Sequence, residues 1–157
     1  MPKILLVEDD PMISEIYQRK FLAAGFDSHI AMSGRAVLDM LRAEPFDLVL
    51  LDIVLPEMNG MEVLEQLRNP RNGFDAGIKV IMFSNLNEKD DRDKAIALGA
   101  NGFIPKTEFS PSQLVEEVSR FLKQFEAQKK NAERLAQGED VLASDMTTPS
   151  VSEKADE

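Results

Sequence analysis

Short apolar runs alternate along the chain with longer amphipathic stretches, and this alternation predicts five strands, each followed by a helix. The apolar runs have the length and residue types of buried strands. They are Lys3–Val7, Phe26–Ala31, Phe46–Leu51, Lys79–Phe83 and Gly102–Ile104. The third run is apolar at nearly every position, as expected of a parallel strand that is covered on both faces.

The stretches between these runs carry apolar residues at helical spacing and are bounded by capping residues. Helices are predicted over Pro11–Ala24, after Ser33, over Gly60–Arg68, between Asn87 and Gly99, and from Pro111 to Phe125. Residues suited to an N-cap stand at Asp10, Ser33, Asn87 and Ser110. Gly25 follows the first helix in the usual C′ position.

Five βα units in a row predict an α/β fold, a doubly wound parallel sheet with helices on both faces. In such sheets the binding crevice lies beyond the carboxyl ends of the strands, near the point where the strand order reverses. In the common flavodoxin-like order 2-1-3-4-5, the first and third strands are neighbours. The residues that directly follow the strands are therefore the candidates for a functional site.

Acidic residues follow the first and third predicted strands. Glu8, Asp9 and Asp10 come after the first strand, and Asp52 comes after the third. Neighbouring carboxylates raise each other's pKa unless a cation intervenes, and a hard divalent cation with oxygen ligands removes the repulsion. Asp10 is better explained as the N-cap before Pro11 than as a further ligand.

A hydroxyl and an ammonium complete this set of strand-end groups. Ser84 follows the fourth predicted strand and Lys106 follows the fifth. An ammonium pairs with anionic oxygens, and a hydroxyl donates a hydrogen bond to them. Together with the acidic cluster and a metal ion, these groups predict a site in which a carboxylate accepts a phosphoryl group. Catalysis at such a site works by positioning and charge neutralisation.

The composition narrows the chemistry further. The 157 residues include no cysteine and one histidine, which excludes disulfides, thiolate catalysis and cysteine-based zinc sites. His29 falls in or beside the second predicted strand and is expected to be a partly buried strand residue. The net charge of −10 disfavours direct binding to nucleic acid. No apolar run suits a membrane span or a signal peptide, so a soluble cytoplasmic protein is expected.

Four segments, in order and each at a predicted strand end, resemble the response-regulator receiver family: ILLVEDDP, FDLVLLDIVLPEMNG, VIMFSN and GANGFIPK. The resemblance extends from about Pro2 to Phe125. It implies the flavodoxin-like fold with strand order 2-1-3-4-5. It also implies a phosphorylation-dependent signalling switch of a two-component phosphorelay.

The resemblance assigns an acceptor and a metal site. It implies that Asp52 accepts the phosphoryl group and that Mg²⁺ is the cofactor. Asp9 would be a direct Mg²⁺ ligand, and Glu8 would hold the metal through water. Asp52 itself and the backbone carbonyl of Val54 would complete the protein's ligands.

The resemblance also assigns the residues that bind and sense the phosphoryl group. Ser84 would bind a phosphoryl oxygen and shift on activation. Lys106 would form an ion pair with Asp52 or its phosphoryl group. Phe103 occupies the aromatic switch position, and its ring would turn inward when Ser84 moves.

Three positions depart from the family's usual pattern. Asn85 is larger than the residue that usually follows the hydroxyl position and narrows the expected access to the phosphoryl group. Thr107 replaces a proline, so a cis bond after Lys106 is not expected. The stretch Asn69–Gly77 is longer than the usual connection, which makes it either a partner-specific feature or tolerated length.

The resemblance implies partners of two kinds. The phosphoryl donor would be a histidine kinase or a phosphotransfer protein, or a small acyl phosphate. The downstream target is an unknown protein, reached by contact or by onward phosphotransfer, with no direct nucleic-acid or membrane contact. The protein is expected to be no enzyme but an acceptor that assists its own phosphorylation and dephosphorylation, and to be a monomer or a weak phosphorylation-dependent dimer.

The C-terminal part of the chain divides into two predicted segments after a receiver domain over residues 1–125. Strong helix formers continue through residues 126–137, which predicts an extension of the last helix. Residues 138–157 are acidic, rich in Ser and Thr and poor in large apolar residues, and they are predicted to be a disordered tail. No output domain is recognised, so a stand-alone receiver is expected.

Two other functions remain open at this point. The first is an adaptor with the receiver fold that acts by protein–protein contact without phosphorylation. The second is an aspartate-nucleophile phosphatase on a similar fold. Such phosphatases typically carry a second aspartate two residues after the nucleophile as a general acid, and Val54 at that position argues against them.

Overall fold

In the computed structural model, which describes residues 1–85 and 89–138, five parallel strands form one sheet. The strands are β1 (Lys3–Val7), β2 (Asp27–Ala31), β3 (Leu48–Leu51), β4 (Lys79–Ser84) and β5 (Gly102–Pro105). Their order in the sheet is β2-β1-β3-β4-β5, as predicted, and all four neighbouring pairs are parallel. The sheet belongs to a compact unit that runs from Met1 to Glu116.

Five helices alternate with the strands. They are α1 (Pro11–Ala23), α2 (Gly34–Ala43), α3 (Gly60–Arg68), α4 (Lys89–Ala97) and α5 (Pro111–Ala136). The Asp10 side chain accepts hydrogen bonds from the first-turn amides of α1, and Ser33 caps α2 in the same way. Ser110 and Gln113 form the predicted capping box of α5. The predicted cap at Asn87 lies outside the described residues.

Two strands begin later than their apolar runs predicted. Phe26 and Phe46 are buried, at 5% and 8% exposure, but β2 begins at Asp27 and β3 at Leu48. The amide of Phe26 donates to the carbonyl of Phe21, at the end of α1, instead of to a neighbouring strand. Apolar burial therefore marks these rings as core without making them part of a strand.

The core lies on both faces of the sheet because alternate residues of a strand point to opposite sides. On one face, β1, β3 and β4 pack against α2, α3 and Ala95 of α4. The strand residues on this face are Leu5, Val7, Val49, Leu51, Val80 and Met82. On the other face, the alternate residues of the same strands are equally buried, and so is Phe21 of α1. This double burial explains the near-continuous apolar sequence of β3.

The loop after β3 is joined to α3 by a complete capping box. The amide of Glu62 donates to the side chain of Asn59 at 2.9 Å, and the amide of Asn59 donates to the side chain of Glu62 at 3.0 Å. Two amides that the helix itself leaves unpaired are thereby satisfied. The start of α3 is fixed next to the carboxyl end of β3.

Replacing Asn59 with alanine is expected to lower the free energy of unfolding by about 1 kcal/mol, because the first turn of α3 loses its cap. Urea denaturation followed by circular dichroism measures the change. Asn59→Ser keeps an N-cap acceptor and serves as the control, with a loss of only a few tenths of a kcal/mol expected. Equal losses for both variants would show that the cap does not stabilise the fold.

The second compact unit begins at Glu117, and the structure describes it as far as Gly138. It contains the remainder of α5, in which the rings of Phe121 and Phe125 lie 5.9 Å apart. Residues 126–138 are all exposed. Residues 139–157, most of the predicted acidic tail, lie outside the described residues. Within the described ranges, no helix has the length and apolar content needed to span a membrane.

Candidate functional site

Four of the predicted site residues lie at the carboxyl edge of the sheet, each at the end of a different strand. Glu8 directly follows β1, Asp52 follows β3, Ser84 is the last residue of β4, and Lys106 follows β5. Glu8, Asp52 and Ser84 are polar residues in a largely apolar interior, with exposures of 4%, 6% and 0%. Buried charge needs a partner, and the partner of both carboxylates is Lys106.

Lys106 joins the two buried carboxylates. Its Nζ donates to Oδ2 of Asp52 at 2.8 Å and to Oε1 of Glu8. Burial favours the neutral amine, but the hydrogen bonds and negative charges of Asp52 and Glu8 outweigh burial and raise the pKa of Lys106. The lysine is therefore charged at neutral pH, and the buried cluster carries one positive and two negative groups.

Backbone amides fix the remaining oxygens of the two carboxylates. The amide of Asp10 donates to Oε2 of Glu8 at 3.2 Å, and the amide of Val54 donates to Oδ1 of Asp52 at 3.2 Å. Each carboxylate thus has one oxygen on Lys106 and one on the loop that follows its own strand. This arrangement orients both carboxylates before any ligand arrives.

Two of the predicted metal ligands adjoin the buried carboxylates along the chain but reach the surface. Asp9 and Val54 are exposed, with Val54 at 61% exposure. In residues 1–85 and 89–138, no three acidic or histidine side chains converge closely enough to hold a metal ion. The chemistry of the donor set still fits Mg²⁺, since Glu8, Asp9 and Asp52 offer only hard oxygen ligands. In this conformation the ammonium of Lys106 balances the negative charge of Glu8 and Asp52, as a bound metal ion would.

Gly60 is a site residue that the sequence analysis missed. A Cβ atom at this position would lie 2.1 Å from the backbone oxygen of Asp52, and the Gly60 amide donates to the carbonyl of Ile53 at 2.8 Å. Only glycine allows α3 to begin so close to the acceptor candidate. The preceding loop turns through Glu57, whose φ of 67° is unusual for a residue with a side chain. The pair Asn59-Gly60 at the end of the second motif, FDLVLLDIVLPEMNG, was the signal for this close approach.

Phe103, the predicted switch residue, lies on β5 and is partly buried against the core. The guanidinium of Arg92 on α4 lies 5.4 Å from the centroid of its ring, a cation–π contact. Ser84 lies at the end of the neighbouring strand β4, paired with Pro105 of β5. The two predicted switch residues therefore stand on adjacent strands.

The long connection between α3 and β4 does not contribute to the site. Its Phe74 ring lies 4.3 Å beneath the guanidinium of Arg42 on α2, and the two line a cavity of about 490 Å³ together with Phe46 and Ile78. Phe46 and Ile78 precede β3 and β4. The connection is therefore tied to the amino edge of the sheet, opposite Asp52.

The loop after β5 differs from the usual family pattern, as its sequence predicted. Among the described residues no peptide bond is cis, so the bond between Lys106 and Thr107 is trans. Both residues belong to a short 3-10 turn, Lys106–Glu108. The trans bond still brings the ammonium of Lys106 to Asp52.

Sequence comparison agrees with this fold and these strand-end groups. The sequence model described as "Response regulator receiver domain" matches residues 4–119, and the chain belongs to that family. It is thus a receiver domain of a two-component signalling system. Receiver domains generally bind Mg²⁺ at their phosphorylation site.

The curated relatives are regulators that are longer than this chain. The transcriptional activator protein PfeR of Pseudomonas aeruginosa is 37% identical over 72% of this chain and 35% of PfeR. The CpxR homolog of Haemophilus influenzae is 32% identical over 83% of this chain and 55% of that protein. The chain spans about half of such relatives or less, and its lack of direct nucleic-acid contact stays a prediction.

Solved receiver structures have the same fold. A CheY-like receiver domain from Methanospirillum hungatei is 29% identical, with a TM-score of 0.71 over 82% of this chain and 98% of that one. The receiver domain of a LuxO repressor protein from Vibrio parahaemolyticus is 26% identical, with a TM-score of 0.72 over 82% and 95%. The sheet order predicted from sequence is confirmed.

Proposed function

We propose that this receiver domain is a phosphorylation-dependent switch in which Asp52 accepts a phosphoryl group from a histidine kinase or a phosphotransfer protein. The observation that carries the proposal is the buried Asp52 carboxylate, held 2.8 Å from the ammonium of Lys106 at the carboxyl edge of the sheet. An oxygen of Asp52 forms the new bond to phosphorus. The bond to the donor breaks at the same time, and its electron pair leaves with the donor nitrogen or oxygen.

The surrounding residues position the reaction and neutralise its charge. Lys106 keeps its charge at neutral pH and pairs with phosphoryl oxygens after transfer. The hydroxyl of Ser84 donates to a phosphoryl oxygen. Glu8, Asp9, Asp52 and the carbonyl of Val54 would hold Mg²⁺, which would supply further positive charge at the site.

Phosphorylation is expected to act on the rest of the molecule through Ser84 and Phe103. Ser84 moves toward the phosphoryl group, and the space it leaves admits the ring of Phe103. The ring then loses its contact with Arg92, which changes the surface formed by α4 and β5. In this proposal the protein is an acceptor that assists its own phosphorylation and dephosphorylation, not an enzyme with a separate substrate.

The proposal predicts that the purified protein gains one phosphoryl group from acetyl phosphate. The acyl phosphate is a suitable donor because the receiver supplies the groups that position the transfer. Intact-mass spectrometry should detect a single adduct in the presence of Mg²⁺ and none in the presence of EDTA.

A beryllofluoride titration is the second measurement, because a short-lived aspartyl phosphate would escape the first. Beryllofluoride mimics the phosphoryl group and should perturb the NMR signals of Ser84 and Lys106 only when Mg²⁺ is present. Failure of both measurements would contradict the proposal. It would favour the receiver-fold adaptor that works by protein contact alone.

A further inference from the structure

The ammonium of Lys106 has a third neighbour besides its two carboxylates. Its Nζ lies 5.4 Å from the centroid of the Phe83 ring. The Phe83 side chain is buried, at 2% exposure, and 11% of the Lys106 side chain is exposed. The negative face of an aromatic ring attracts a cation, and the attraction grows when water is excluded.

Tyr17 orients the Phe83 ring. The two rings pack edge to face, with centroids 5.4 Å apart and planes at 83°. Tyr17 belongs to α1 and Phe83 to β4, so the contact joins a helix to the sheet. An edge-to-face pair has a preferred geometry, which keeps the Phe83 ring from turning away from Lys106.

The ring differs from the carboxylates in one respect that matters for the proposed function. Glu8 and Asp52 are the groups that would turn to Mg²⁺ and to a phosphoryl group. Their contacts with Lys106 must then change, whereas the contact with Phe83 needs neither carboxylate. The ring face is therefore the neighbour of Lys106 that stays available throughout the reaction.

We propose that Phe83 is a positioning residue for Lys106, whose ammonium its ring holds at the site while the carboxylates exchange partners. Phe83 touches none of the reacting atoms and acts through Lys106 alone. A buried aromatic residue on a central strand is ordinarily only core, and an experiment must separate the two roles. The proposal rests on the proposed function for one of its two readouts.

Fluorinated phenylalanines at position 83 make this separation, because they keep the shape of the ring while removing the negative potential of its face. The first readout is independent of phosphorylation. In the metal-free protein, the Cε protons of Lys106 should show an upfield ring-current shift, assigned by its loss in Lys106→Arg. Phe83→Leu should abolish the shift. Pentafluorophenylalanine should move the Lys106 signals away from their wild-type positions.

The second readout is the rate of phosphoryl acceptance from acetyl phosphate with Mg²⁺. The rate should fall stepwise as fluorines are added at position 83, to about one tenth of the wild-type rate for pentafluorophenylalanine, the size expected for a lost cation–π contact. A matched control is the same series at Phe21. That ring is fully buried and packs edge to face on Phe26, 5.3 Å away. Within residues 1–85 and 89–138, no cation–π contact involves Phe21.

The positioning role would be supported if fluorines at position 83 lower the rate and move the Lys106 signals. The same fluorines at position 21 should do neither. Unchanged Lys106 signals in the position-83 series would overturn it. Equal falls in both series would also overturn it, because they would show a general effect of altered core packing. If the wild-type protein accepts no phosphoryl group, the proposed function fails, and the Lys106 signals alone decide the role of Phe83.

Discussion

Asp52→Asn is expected to form no phosphoryl adduct with acetyl phosphate and Mg²⁺ under conditions in which the wild-type protein forms one. The neutral amide lacks the carboxylate oxygen that would bond to phosphorus. The substitution keeps the size of the side chain and the oxygen that accepts from the Val54 amide, and Lys106 keeps its contact with Glu8. The loss should therefore reflect chemistry and not misfolding, as intact-mass spectrometry and circular dichroism would show together.

Asp10→Asn is the matched control for this variant. Asp10 lies two residues from Glu8, and the change removes the same charge. Its side chain caps α1, a role that asparagine fills equally well. The control should form the adduct as the wild type does. An adduct that persists in Asp52→Asn would assign the reaction to another carboxylate, which peptide mapping would locate.

Gly60→Ala is expected to lower the free energy of unfolding by about 3 kcal/mol, at the upper end of the usual cost of overpacking. The new Cβ atom would lie 2.1 Å from the carbonyl oxygen of Asp52 and 2.9 Å from Cα of Ile53. Both are backbone atoms, so no side-chain rotation relieves the clash. The higher helix propensity of alanine offsets at most about 1 kcal/mol. Urea denaturation followed by circular dichroism measures the loss.

Gly77→Ala is the control that separates the general effect of replacing a glycine from the clash at Gly60. The nearest atom to its new Cβ would be Oδ1 of Asp75 at 3.3 Å, the end of a side chain that can move. We expect its stability to stay within about 0.5 kcal/mol of wild type. If Gly60→Ala were as stable as this control, the start of α3 would be free to move away from Asp52. The clash in Gly60→Ala should also slow phosphoryl acceptance, since it displaces the backbone of Asp52, the proposed acceptor.

Much of the fold could be predicted because each local signal agreed with the others. The sheet order followed from five βα units, and α3 has the bounds Gly60–Arg68 that its apolar spacing and flanking residues predicted. The start of β3 could not be predicted, because Phe46 contributes to the core without pairing in the sheet. Hydrophobicity indicates that a residue is buried. Whether it also belongs to a strand depends on its backbone hydrogen-bond partners, which cannot be read from the sequence.

The part of the site that could be predicted is the set of residues that directly follow the strands. Glu8 and Asp52 come together because they follow neighbouring parallel strands. The shared partner Lys106 is 98 residues away from Glu8 along the chain, and its choice of both carboxylates depends on side-chain positions. Phe83 gave no signal at all, since an aromatic residue in an apolar strand predicts core and nothing about the ammonium above it.

The contact between Tyr17 and Phe83 has a practical consequence. The chain contains one tyrosine and no tryptophan, so its ultraviolet fluorescence arises almost entirely from a single phenol. That phenol is three contacts from the proposed acceptor, through Phe83 and Lys106 to Asp52. Tyr17 is thus the main intrinsic fluorophore of the protein and lies close to the proposed acceptor site. A change at Asp52 that moves Lys106 and Phe83 is expected to alter this tyrosine fluorescence, which can be recorded in real time on unlabelled protein.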